Sequence, residues 1–172
     1  SWKRLLAGES AVRLIDEFAT DGFPARIAAT ITGFDPASYL DTRDVRRSSR
    51  FTQLAVAAVS QAIAASELDL HREDATRVGI QMGSAVGGLH VIEEQAYTLR
   101  DLGARRINPT LVPSVIISAA ACQIAVQWGI KGPTGAPAAA CATGITAIGE
   151  AARWLQQGFV DVVVAGGAES TI

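Results

Sequence analysis

Residues 132–167 read GPTGAPAAACATGITAIGEAARWLQQGFVDVVVAGG, and this stretch decides the fold class. Gly135–Ala140 is predicted as a strand, Ala142–Gln157 as a helix stopped by Gly158, and Val160–Ala165 as a second strand. The run Val162-Val163-Val164 is β-branched, which suits a parallel strand covered on both faces. Strand, helix and strand at this spacing form a βαβ unit. The chain therefore reads as α/β, a mainly parallel sheet with helices on both faces.

The same alternation continues toward the N-terminus. Residues 1–6 read as a helix, and Ala25–Thr32 as a strand closed by Gly33 and followed by a turn or short helix at Asp35-Pro36. Ser49–Ser66 is predicted as a long helix. Phe51, Leu54, Ala58 and Ala62 share one side, while Val56, Val59 and Ile63 make the other apolar too, so packing on several sides is expected. Arg77–Met82 reads as a strand, Gly87–Arg100 as a helix after a Gly-rich turn, and Asn108–Pro113 as a loop. Val115–Trp128 reads as a second buried helix ended by Gly129. Neither a repeat nor a linker divides the 172 residues, and one domain is expected.

Composition narrows the class. Hydrophobic residues make up 49% of the chain and charged residues 19%, a globular balance. The net charge of −2 argues against nucleic acid or an anionic membrane as partner. The longest apolar stretch, Ser114–Ile130, contains Gln123 and Gln127 and is short for a bilayer span. No basic segment leading into an apolar one opens the chain, so a cytoplasmic location is expected. Because the chain opens without Met inside a helical pattern and stops two residues after Ser170, it is expected to be a piece of a longer protein.

Two cysteines are too few for a disulfide framework, and with His71 and His90 they show no ligand spacing, so no metal is expected. Cys122, in mid-helix among Ala119, Ala120, Ala121, Ile124 and Ala125, is expected in the core. Cys141 is different. At a strand-to-helix junction it stands above the sheet edge, where α/β proteins bind ligands. Free backbone N–H groups and the positive helix end there favour thiolate over thiol. Ala139, Ala140, Ala142 and Gly144 are small enough for a tight turn and a close substrate. These features make Cys141 a candidate nucleophile, although the residues alone leave a packed, inert thiol open. A cysteine hydrolase would need a histidine base, but both His71, in a charged turn, and His90, early in a helix, read as solvated. Gly83-x-x-x-Gly87-Gly88 lacks the spacing of a phosphate loop.

The segment GPTGAPAAACATG, followed by AIGEAARWLQQGFVDVVVAGGAES, resembles the nucleophile region of the β-ketoacyl-[acyl carrier protein] synthase II and polyketide ketosynthase family. SWKRLLAGES, FDPASYLD, RRSSRFTQLAVAA, RVGIQMGSAVGGL, INPTLVPS and WGIKGP agree in order and spacing. The resemblance implies a thiolase-like fold with two similar halves in an αβαβα arrangement, usually a homodimer. The chain would be the N-terminal half, residues 1–172, without the family's first strand and without the second half that carries its histidines. It implies that Cys141 takes an acyl group from acyl carrier protein as a thioester and that malonyl-carrier protein then extends it. The Cys141 N–H would be one oxyanion donor. No cofactor is implied beyond the carrier's phosphopantetheine.

By the same resemblance Val86, with Leu89 nearby, lines the acyl tunnel, though ordinary core packing of Val86 is equally open. Leu111 and Val112 match residues that reach across the dimer to the partner's tunnel. Arg43, Arg46 and Arg47, in a basic cluster with Arg50, match the region that docks the acidic carrier, where a solvated charged face is the alternative. Two competing readings are a thiolase-type enzyme using coenzyme A and a non-catalytic carrier-binding or dimerisation module.

Overall fold

The computed structural model describes residues 2–171. It divides into two compact units, one ending at Asp35 and one running from Pro36 to Thr171.

The first unit contains helix α1 (Trp2–Leu6) and an antiparallel pair, β1 (Arg13–Leu14) with β2 (Ile27–Ala28). The predicted strand Ala25–Thr32 thus shrinks to two residues, and its partner had no visible sequence signal. The unit is organised instead by polar contacts around Arg13, which pairs with Asp16 and Glu17. Thr30 donates its hydroxyl to Glu17, and this bond, with the nearby Arg13 charge, holds the Glu17 carboxyl at about 2 despite partial desolvation.

The second unit is a three-layer sandwich. Its sheet consists of β3 (Val78–Gly83), β4 (Thr134–Gly135) and β5 (Val162–Gly167), parallel and in the order β4-β3-β5. Side chains alternate across a strand, so β3 serves two layers. Val78, Ile80 and Met82 enter the core with Phe51, Val56 and Val59 of α3 (Arg50–Ser66) and Ala120, Ala121 and Ile124 of α6 (Ala119–Trp128). Gly79 and Gly83 face α7 (Thr143–Gln156) on the other side, where a β-carbon on Gly79 would meet the Trp154 ring at 3.3 Å. Glycine on the strand and buried Ala147 and Ala151 on the helix let α7 lie close to the sheet.

Several expectations change here. Gly135–Ala140 is not a strand: pairing stops at Gly135, because Pro137 has no N–H for a ladder, and Ala140–Ala142 forms a 3₁₀ turn. Val160–Ala165 shifts to Val162–Gly167. Among the described residues it is an edge strand, and it is half-buried rather than covered on both faces, because α7 packs against it while a groove stays open between it and α3. Two further helices, α4 (Leu89–Leu102) and α5 (Leu111–Val115), follow β3. The predicted loop Asn108–Pro113 ends in α5, because Pro113 falls in a first turn whose N–H groups have no intrahelical partner. The second buried helix begins at Ala119, not Val115. Cys122 is exposed rather than in the core, since α6 turns Ala120, Ala121 and Ile124 inward and Cys122 outward. The long helix packs on several sides only in its first half; Ala62, Ala64 and Ala65 are exposed.

Ser49 stands at the N-cap of α3 but spends its hydroxyl elsewhere, donating to the Ser114 carbonyl oxygen at 2.7 Å. That buried bond ties α3 to α5. Gly129 and Gly158 end α6 and α7 in left-handed geometry, as expected.

Candidate active site

Cys141 sits in the middle of the 3₁₀ turn that leads into α7, exposed to solvent. It does not follow a strand directly, because residues 136–139 intervene. Thr143 shapes this turn. Its hydroxyl accepts from the Ala139 N–H at 2.9 Å and donates to the Ala140 carbonyl oxygen at 2.8 Å. Ala140 is held at a φ of 47°, a left-handed geometry that a side chain tolerates only under constraint. The Ala142 and Thr143 N–H groups are used by the Ala139 and Ala140 carbonyls. Among the described residues the Cys141 N–H has no hydrogen-bond partner.

The turn is seated on the C-terminal ends of β3 and β5. A β-carbon on Gly83 would overlap the Pro137 carbonyl oxygen and come within 2.5 Å of Thr143 Cγ2. One on Gly167 would meet the backbone of Gly144 at 3.2 Å. The three glycines bring two strand ends and a helix start together beneath the sulfur. They form a cavity of about 460 Å³ lined by Cys141, Ala140, Thr143, Ser84, Ala85 and Glu169, among others. Sequence reasoning passed over Glu169. Its carboxylate accepts from the Ser84 hydroxyl at 3.1 Å and from the Ala85 and Val86 N–H groups at 2.8 and 3.1 Å. The donors that make a Gly-rich turn attractive to phosphate are therefore already taken by the chain's own anion.

Val86 adjoins this wall and is 45% exposed. Leu89 begins α4, and Leu111 and Val112 begin α5; none of Val86, Leu89, Leu111 and Val112 lines the cavity at Cys141. Gly88 donates to the Val115 carbonyl at 3.0 Å, which links the two helices. Arg43, Arg46 and Arg47 lie on one short helix that the sequence did not announce, α2 (Thr42–Arg47). The Asp41 side chain caps it, and Asp44 accepts from Gln123 of α6 at 2.9 Å, so α2 is docked through its acidic residue and its arginines stay exposed. Among the described residues none of the three arginines forms an ion pair. His71 is exposed as expected. His90 is half-buried rather than solvated, and its shielded Nδ1 has no hydrogen-bond partner among the described residues. Neither histidine lines the Cys141 cavity. No group of three or more His, Cys, Asp or Glu side chains converges among the described residues. No described helix is long and apolar enough to cross a membrane.

The family profile described as "Beta-ketoacyl synthase, N-terminal domain" matches residues 1–172. The chain belongs to this family. A 3-oxoacyl-[acyl-carrier-protein] synthase 2 from Vibrio cholerae is 41% identical over 169 residues, covering 98% of this ketosynthase domain and 41% of the relative. A protein of the same description from Staphylococcus aureus is 35% identical over 172 residues, covering 100% and 43%. The chain thus spans about two fifths of the length of these curated relatives. Among solved structures, a β-ketoacyl synthase from Burkholderia phymatum has 26% identity and a TM-score of 0.79, covering 96% of this chain and 42% of that one. A type II polyketide ketosynthase, in complex with its acyl carrier protein and bound to a hexaketide, has 29% identity and a TM-score of 0.79, covering 83% and 41%.

Proposed function

We propose that this chain is the nucleophile-bearing part of a β-ketoacyl-[acyl carrier protein] synthase in fatty-acid or polyketide synthesis. The observation that carries the reading is Cys141. Its thiol opens into a cavity at the C-terminal ends of parallel strands, and its own N–H is unpaired beside it.

In the first half-reaction Cys141 Sγ attacks the carbonyl carbon of an acyl thioester on the carrier. A new C–S bond forms, the phosphopantetheine sulfur leaves, and it takes up the proton that Cys141 gave. The Cys141 N–H would stabilise the charged oxygen of the tetrahedral intermediate, a type of contact worth about 3–4 kcal/mol in other acyl transfers. In the second half-reaction malonyl-carrier protein loses CO₂. The resulting carbanion forms a C–C bond to the Cys141 thioester carbon, and Sγ leaves. The product is a β-ketoacyl thioester two carbons longer. The groups that promote decarboxylation are assigned to the part of the relatives' length that this chain does not span.

Acyl carrier protein is the partner, with the exposed arginines of α2 as its dock. A homodimer is supported by the edge of β5, which has no strand partner among the described residues, and by the apolar groove of about 410 Å³ between it and α3. Val86 and Leu89 are proposed to meet the acyl chain, and Leu111 and Val112 to reach the partner subunit's tunnel. A cytoplasmic location and the absence of any bound cofactor complete the reading.

Peptide-mapped mass spectrometry of the full-length protein with acyl-carrier protein tests this directly. An adduct on Cys141, absent from exposed Cys122 and discharged by malonyl-carrier protein, supports condensation. A folded, dimeric protein that acquires no adduct would be a binding module instead.

A further inference from the structure

One oxygen of Glu169 collects three donors from a turn that lies 83–85 residues earlier in the chain. Oε2 takes the Ser84 hydroxyl and the Ala85 and Val86 N–H groups, while Oε1 accepts from the Ser170 N–H at 3.1 Å. The Ser84 Oγ, in a residue only 1% exposed, also accepts from the Gly87 N–H at 3.0 Å. Hydrogen bonds to an ionised acceptor are about twice as strong as neutral ones. The carboxylate therefore closes a clasp between the segment after β5 and the Ala85 and Val86 N–H groups, and Ser84 Oγ extends it to the Gly87 N–H. Beyond it, Gly87 takes a φ of 67° and Gly88 is bonded to Val115.

The position of the clasp gives it a consequence. Ser84, Ala85 and Glu169 are themselves wall residues of the Cys141 cavity. Ala85 is half-buried and Val86 is exposed, so side-chain packing holds them only in part. On one side they are tied by the Glu169 and Ser84 bonds, and on the other by the contact of Gly87 and Gly88 with Val115.

We infer that Glu169, seconded by Ser84, is a positioning residue that fixes the wall formed by Ser84 and Ala85 beside Cys141, with Val86 next to it, and thereby sets which acyl chains the cysteine accepts. This rests on the acyl-thioester reading of Cys141. Glu169 needs to exchange no proton and to touch no reacting atom. It acts by holding the wall at a fixed distance from the sulfur.

The test uses the full-length protein and short, medium and long straight-chain acyl-carrier proteins, with acylation of Cys141 followed by mass spectrometry. Glu169→Ala should change the ratio of long-chain to short-chain kcat/KM by about tenfold, and Glu169→Gln, which keeps an acceptor oxygen, by less. Hydrogen exchange at the Ala85 and Val86 amides should speed up in the same order. If Glu169→Ala does not fold, Ser84→Ala carries the test, since it removes only the hydroxyl bridging Glu169 and Gly87. A chain-length ratio unchanged in every folded variant overturns the inference even where all rates fall together. Wild-type protein that never acylates Cys141 overturns the condensing reading, and this inference with it.

Discussion

Gly83 and Pro137 touch main chain to main chain: the Pro137 carbonyl oxygen occupies the space that a β-carbon on Gly83 would need. This contact seats the loop before Cys141 on the end of the central strand. It keeps the loop against the sheet after ladder pairing has ended at Gly135.

Gly83→Ala should lift that loop. Overpacking of this kind costs about 1–3 kcal/mol, and the Pro137 carbonyl, being backbone, has little room to yield. We expect a matching loss in chemical-denaturation stability together with slower Cys141 acylation. Unchanged acylation would mean that the cavity does not depend on the contact.

Thr143→Val removes the hydroxyl that bridges Ala139 and Ala140 and leaves a half-buried N–H unpaired, at about 1–3 kcal/mol. Thr143→Ser keeps the hydroxyl and should retain near-normal stability and acylation. Equal damage in both variants would assign the effect to the lost methyl instead.

Phe51 is fully buried between α3, β3 and α6. Phe51→Ala should cost about 3–5 kcal/mol, from lost burial and the cavity left behind. Equilibrium unfolding in urea measures this, and a value below about 1 kcal/mol would contradict the packing described.

Arg77 donates to both oxygens of Asp161 at 2.6 and 2.8 Å, linking the start of β3 to the approach to β5. The Arg77 hydrogen bonds hold the Asp161 carboxyl below its ordinary value of 3.8 against some desolvation. A carboxylate depressed in the folded state stabilises above its unfolded pKa, and the contribution is lost as pH falls through the folded value. Asp161→Asn should therefore flatten the fall in stability below about pH 4. Melting curves across pH measure it, and an acid limb as steep as wild type would remove Asp161 from the account.

The α2 arginines predict a salt-dependent partner. Arg46→Glu with Arg47→Glu should weaken acyl carrier protein binding by about tenfold or more at low salt, and less as ionic strength rises. Acylation by a neutral pantetheine thioester should be unaffected. Equal loss with both donors would place the arginines in the fold rather than at the dock.

Much of this molecule is visible in local patterns. The helix stops at Gly129 and Gly158, the buried apolar strand at 78–83 and the amphipathic segments depend on neighbours within a turn or two. The α/β class and the candidacy of Cys141 follow from them. Elements without such patterns were lost: β1, with two residues, is too short for periodicity, and α2 is too polar to show an apolar stripe. Around Pro137 the extended pattern misled, because a proline ends ladder pairing where apolar composition suggests more strand.

The sequence by itself determined the alternation of strands and helices, because hydrophobic period and terminating glycines act locally. It also determined the family, through the residues around Cys141. Tertiary structure alone decided which face of α6 turns Cys122 outward, how Gly83, Gly144 and Gly167 stack beneath the nucleophile, and that Glu169 fills the Gly-rich turn. Those outcomes join residues more than twenty positions apart. No local preference encodes them; they follow from close packing and from the need of each buried polar group for a partner.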